Sequence, residues 1–73
     1  MKKKTNPSET FGMRLRQARV AAGMTQAKVA AHVLVDRTTY TKYELGSVEP
    51  SLQTAYDLAV LLGTTLDDLL RPE

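Results

Sequence analysis

The stretch from Thr25 to Gly46, TQAKVAAHVLVDRTTYTKYELG, decides the fold. Thr25 is a hydroxyl cap followed by Gln26, a good helix former. Asp36 is a carboxylate cap before a second helical run, and that run stops at Gly46. Between the two starts, Val29, Ala30, Val33, Val35, Tyr40 and Tyr43 fall where two crossed helices would touch. The reading is two short helices joined by a tight turn, the second rich in hydrogen-bonding side chains.

The rest of the chain frames this pair. Met1 to Pro7, MKKKTNP, is polar, charged and proline-ended, and reads as a flexible basic arm over residues 1–7. The folded domain is expected over residues 8–71. A first helix starts at Ser8 or Thr10 and runs to Ala22, with Phe11, Leu15, Ala18 and Ala22 as its apolar stripe and Gly23 as its left-handed end. The second helix covers Gln26 to about Val33 and the third Arg37 to about Leu45. Pro50 cannot sit inside a helix, so Gly46 to Pro50 is a loop and Ser51 caps a fourth helix. That helix spans Leu52 to Leu62, with Leu52, Ala55, Tyr56, Leu58, Ala59 and Leu62 on one face, and ends at Gly63. Thr65 and Asp68 form a capping box for a last helix, Leu66 to Leu70, halted by Pro72. The expected fold is all-α, with five short helices.

Seventy-three residues make one domain with a small core. The chain has no Cys, so disulfides and thiolate metal sites are excluded. No apolar run approaches the roughly 18 residues of a membrane span, and no signal-peptide pattern follows the lysines. A cytoplasmic protein is the expectation. The net charge of +2 hides an asymmetry. Met1 to Lys42 carries nine basic and two acidic residues, a net of +7, whereas Tyr43 to Glu73 carries one basic and six acidic, a net of −5. A basic first half suits a polyanion or a solvated surface; the two-helix pattern favours the polyanion.

Several weak marks in consistent order carry a resemblance. LRQAR in the first helix, GMTQAKVA opening the central motif, DRTTYTKYELG and the trailing PSLQTAYDLAVLLGTTLDDLL are similar to the phage repressor/Cro-like, or XRE-type, helix-turn-helix family over roughly Phe11 to Leu70. The resemblance implies a compact five-helix, lambda-repressor-like domain, with the helix-turn-helix in helices 2 and 3. It implies binding of operator DNA, double-stranded and in the major groove, usually as a homodimer, with no cofactor.

Residue by residue, the match implies that Gln26, with nearby backbone N–H groups, holds a DNA phosphate; a helix start supplies unpaired donors and partial positive charge. It places Arg37, Thr38 and Lys42 on the outward face of the recognition helix, with Thr41 bordering that face, as base contacts. Arg37 is a cation at a helix N-terminus, mildly unfavourable for folding, which points to work outside folding. Thr39, Tyr40, Ser47, Val48 (through its backbone) and Lys28 are expected phosphate contacts. Core packing is the leading role for Tyr40 and Tyr43, with their hydroxyls expected to reach the surface. Arg19 and Glu44 match the family's ion pair between helices 1 and 3 and are assigned to structure.

Three departures from the family pattern stand out. Leu34 occupies the turn position that usually carries Gly, so either the backbone differs there or a branched residue accepts strain. Lys28 replaces an acidic residue, which removes the capping box of helix 2. The N-terminal lysines have no counterpart; they follow the DNA backbone or only solubilise. Leu61, on the polar side of helix 4, and Leu70 are expected dimer contacts, and a two-fold dimer would place its recognition helices about 34 Å apart for a palindromic operator. An antitoxin or adaptor-type module, with protein as the main partner, is the competing reading. A single His32 and no clustered carboxylates give no catalytic or metal site, so no enzyme is expected.

Overall fold

The structure, a computed structural model, describes residues 6–72. It contains five helices in the expected order: α1 Pro7–Ala21, α2 Gln26–His32, α3 Arg37–Leu45, α4 Leu52–Leu61 and α5 Leu66–Leu70. No strand occurs among the described residues. The expected arm therefore lies mostly outside the described residues, and its last two positions belong to the helix. Asn6 is the N-cap of α1 and Pro7 its first residue, earlier than the expected start at Ser8 or Thr10. Asn6 Oδ1 accepts from the Glu9 backbone N–H at 2.8 Å, and Glu9 Oε1 accepts from the Asn6 N–H at 3.2 Å, a reciprocal capping box. Pro suits this position because its missing N–H would have been unpaired there anyway.

Thr25, Ser51 and Thr65 cap α2, α4 and α5, each accepting from the backbone N–H three residues on. Two expected caps differ. Asp36 has the extended backbone of an N-cap, but its carboxylate makes no capping bond. At α5 the box is one-sided, because the Asp68 carboxylate instead pairs with Arg71 at 2.6 Å.

The first four helices end alike. At Gly23, Leu34, Gly46 and Gly63 the backbone turns left-handed, and the next residue bonds back across the last turn: Met24 to Arg19, Val35 to Ala30, Ser47 to Lys42, Thr64 to Ala59. Leu34 is the one non-glycine of the four, at φ 61°. The backbone therefore follows the glycine geometry, and the branched residue accepts the strain.

The core lies between α1, the α2–α3 pair and the α4–α5 pair. Leu15, Val29, Tyr40, Leu58 and Leu69 are fully buried at its centre. Helix α1 packs on α3 and α5, α2 on α3 and α4, and α4 on α5. The approach of α1 to α3 is close: a Cβ at Gly12 would stand 2.5 Å from the carbonyl oxygens of Tyr43 and Glu44. On α4 the buried face is Ala55, Leu58, Ala59 and Leu62, whereas Leu52 and Tyr56, expected on it, are exposed.

Candidate nucleic-acid interface

The inner side of α3 is fastened to two other helices, α1 and α2, through one carboxylate. Glu44 is buried, and its Oε2 accepts from Arg19 Nε at 2.6 Å and from the Tyr40 hydroxyl at 2.6 Å. Its Oε1 accepts from Arg19 Nη2 at 3.2 Å and from Gln26 Nε2 at 3.0 Å. Arg19 also donates from Nη1 to the Met24 carbonyl at 3.0 Å, so one guanidinium ties the end of α1 to α3 and to the segment leading into α2. Burial alone would push the Glu44 carboxyl up. The hydrogen bonds from Arg19, Tyr40 and Gln26 outweigh it and hold the carboxyl below the usual glutamate range. The hydrogen bond to Glu44 is likewise the main reason the Arg19 guanidinium is raised. Burial first, and donation to Glu44 second, push the Tyr40 hydroxyl up. The expected Arg19–Glu44 pair is present, and it is part of a larger network.

The outer side is different. Arg37, Thr38 and Lys42 are exposed and line one shallow surface with Thr41 and Leu45. Neither Arg37 nor Lys42 makes an ion pair with another described residue. Leu45, exposed on that surface, is absent from the sequence-predicted set. Its spacing four residues after Thr41 and seven after Thr38 was the available signal. Lys28 lies exposed on the first turn of α2, and Ser47 and Val48 are exposed in the loop after α3; Thr39 is half-buried. The Ser47 backbone N–H donates to the Lys42 carbonyl at 3.1 Å, and the Ser47 hydroxyl reaches the same oxygen at 3.5 Å.

Several expected contacts fall elsewhere. Tyr40 is 0% exposed and its hydroxyl is bonded to Glu44, so it does not reach the surface and is withdrawn as a phosphate contact. Tyr43 meets it edge-on, with ring centroids 6.2 Å apart. Thr41 is half-buried and turns its hydroxyl inward, 3.0 Å from both Gln26 Oε1 and the Arg37 carbonyl. Gln26 is half-buried, with its amide held between Glu44 and Thr41. Leu61 is half-buried and packed against the core, and so is not an open contact; Leu70 is exposed.

This geometry falls inside a recognisable family span. The sequence model of the helix-turn-helix family matches residues 15–69. The chain belongs to that family, in its phage repressor/Cro-like (XRE-type) form. Over 61 residues it is 39% identical to the SPbeta prophage-derived HTH-type transcriptional regulator YonR of Bacillus subtilis, covering 84% of this chain and 56% of YonR. Over 60 residues it is 33% identical to the cryptic phage CTXphi transcriptional repressor RstR of Vibrio cholerae, covering 82% of this chain and 54% of RstR. The crystal structure of the restriction-modification controller protein C.AhdI from Aeromonas hydrophila superimposes with a TM-score of 0.76 at 33% identity, covering 84% of this chain and 92% of that one. The chain thus spans little more than half the length of either regulator. No helix among the described residues is long and apolar enough to cross a membrane.

Proposed function

We propose that this helix-turn-helix domain binds double-stranded DNA sequence-specifically, with α3 in the major groove, and serves a transcriptional regulator. The observation that carries this reading is the contrast across α3. Its inner side is fastened through Glu44 to α1 and α2, while Arg37, Thr38 and Lys42 stand in one exposed row, with no ion pair at Arg37 or Lys42 among the described residues. A rigidly held helix with outward donors is what base reading requires. Arg37 and Lys42 are suited to guanine O6 and N7, and the Thr38 methyl to a thymine methyl. Gln26, Lys28, Thr39, Ser47 and the Val48 backbone supply phosphate contacts that set the register.

The regulator is a repressor, as RstR is named, and acts as a homodimer on a roughly palindromic operator. The two-fold contact falls to α4 and α5. Leu52, Tyr56 and Val60, at four-residue spacing, form an exposed ridge on α4 whose Leu52 shares a surface pocket with the exposed Leu70, and they replace Leu61 as candidates.

Selection of bound sequences from random DNA, followed by footprinting, tests the whole reading. An enriched site with half-sites about one helical turn apart is expected. Recovery of no preferred sequence would sink it. On the enriched site, Arg37→Ala should cost about 1–3 kcal/mol at one or two base pairs and relax the preference there, while Gln26→Ala should weaken all sequences alike.

A further inference from the structure

We infer that Thr41 is a positioning residue: its hydroxyl fixes the Gln26 amide and so couples the base-reading helix to the phosphate contact at the start of α2. The inference rests on the DNA-binding reading above, with Thr41 removed from the row of base contacts.

The chemistry of the network leaves the amide one orientation. A carboxylate only accepts, so the group of Gln26 that faces Glu44 Oε1 at 3.0 Å must be the Nε2 amine. Its Oε1 then faces Thr41 Oγ1 at 3.0 Å, and the hydroxyl must donate. Thr41 has a second acceptor within reach, the Arg37 carbonyl at 3.0 Å. That carbonyl already receives the helical bond from the Thr41 backbone N–H. Among the described residues Gln26 Oε1 has no other donor. The side-chain proton therefore does more at Gln26 than at Arg37. With both ends anchored, one Nε2 hydrogen has no acceptor among the described residues, and its direction is preset by α3. A phosphate meeting it finds a donor whose rotamer is already chosen, which lowers the ordering cost of the contact.

Two substitutions separate the hydroxyl from the methyl. Thr41→Val keeps the shape and removes the donor; Thr41→Ser keeps the donor and removes the methyl. In the free protein, the two Gln26 side-chain N–H resonances should be distinct and ordered, stay so in Thr41→Ser, and move toward exposed-amide values in Thr41→Val. On DNA, Thr41→Val should weaken the selected site and a scrambled duplex by the same factor, about 2- to 10-fold, the scale of one hydrogen bond. In a Gln26→Ala background the same substitution should add nothing, and Thr41→Ser should bind like the parent.

The opposite pattern overturns the inference: Thr41→Ser losing affinity at one base pair, Thr41→Val neutral, and the Gln26 resonances unmoved. A parent protein that binds no DNA would remove the functional reading instead. The amide resonances would then still decide whether Thr41 positions Gln26.

Discussion

The two ends of α3 are built on opposite plans. The C-terminal end is shut in: Tyr43 and Glu44 lie against Gly12 of α1, Glu44 accepts four hydrogen bonds, and Gly46 turns the chain beside Glu9. A Cβ at Gly46 would stand 3.0 Å from the Glu9 Cα, so that turn needs glycine for space as well as for its φ of 78°. The N-terminal end is open. Asp36 makes no capping bond, Arg37 and Thr38 face outward, and the turn before them carries an exposed leucine. One end spends its side chains on holding the helix, and the other leaves them for a partner. Substitutions at the closed end should therefore alter folding, and those at the open end recognition.

The largest effect is expected at Glu44. Glu44→Ala leaves the partly buried Arg19 with only the Met24 carbonyl and removes the acceptor of Tyr40 and Gln26, at a cost of about 3 kcal/mol. A domain of this length holds only about 4–11 kcal/mol in total, so the variant should be largely unfolded at 37 °C. A loss below about 1 kcal/mol in urea titration would mean that the network behaves as an exposed ion pair, and the closed end would not be closed. The same group makes stability depend on pH at the acid end. Its carboxyl is held below the usual range in the folded state, so the unfolded chain takes up the proton first. Its contribution is fully present above the ordinary glutamate value of about 4.3 and disappears as pH falls through the lower folded-state value. Glu44→Gln should flatten the pH dependence of stability in that acid window.

Gly12 tests the closed end by packing alone. Inside an exposed helix, Gly→Ala normally stabilises by about 1 kcal/mol. Here the new methyl would lie 2.5 Å from two backbone carbonyl oxygens, which cannot rotate away. Separation of α1 from α3 should outweigh the propensity gain, and Gly12→Ala should destabilise by about 1–3 kcal/mol. Thermal unfolding showing a stabilised Gly12→Ala would mean that the two helices are not in close contact.

The sequence was most legible where the physics is local. Thr25, Ser51 and Thr65 mark helix starts because a cap acts on its own next turn, and Gly23, Gly46 and Gly63 mark ends because a positive φ is a local demand. Asn6 and Glu9 carry the same three-residue signal, which places the first helix start earlier than the apolar stripe suggests. What spans distance was hidden. Gln26 and Glu44 are far apart in the chain, and no periodicity pairs them; only packing of α2 on α3 does. The Arg19–Glu44 pair became readable through family resemblance, not spacing. Leu61 and Tyr56 were misplaced for a related reason. A wheel gives angles around α4 but not how far the core reaches along each flank, and Leu61 packs against the core while Tyr56 is exposed.

Leu34 gives the smallest expected effect and isolates the open end. It takes the backbone path that glycine takes at the other three helix ends, and a left-handed Cβ costs roughly 1–2 kcal/mol. Nothing in the fold repays this through packing, since the side chain is 90% exposed. Glycine would remove the strain but enlarge the entropy of the unfolded chain, which returns about 0.4–1 kcal/mol. Leu34→Gly should therefore stabilise the domain by about 0.5–1 kcal/mol in urea titration, with affinity for the selected DNA site unchanged. Destabilisation would mean that the leucine side chain packs in solution. Unchanged stability with weakened DNA binding would make Leu34 part of the recognition surface, and the open end would then begin two residues before Asp36.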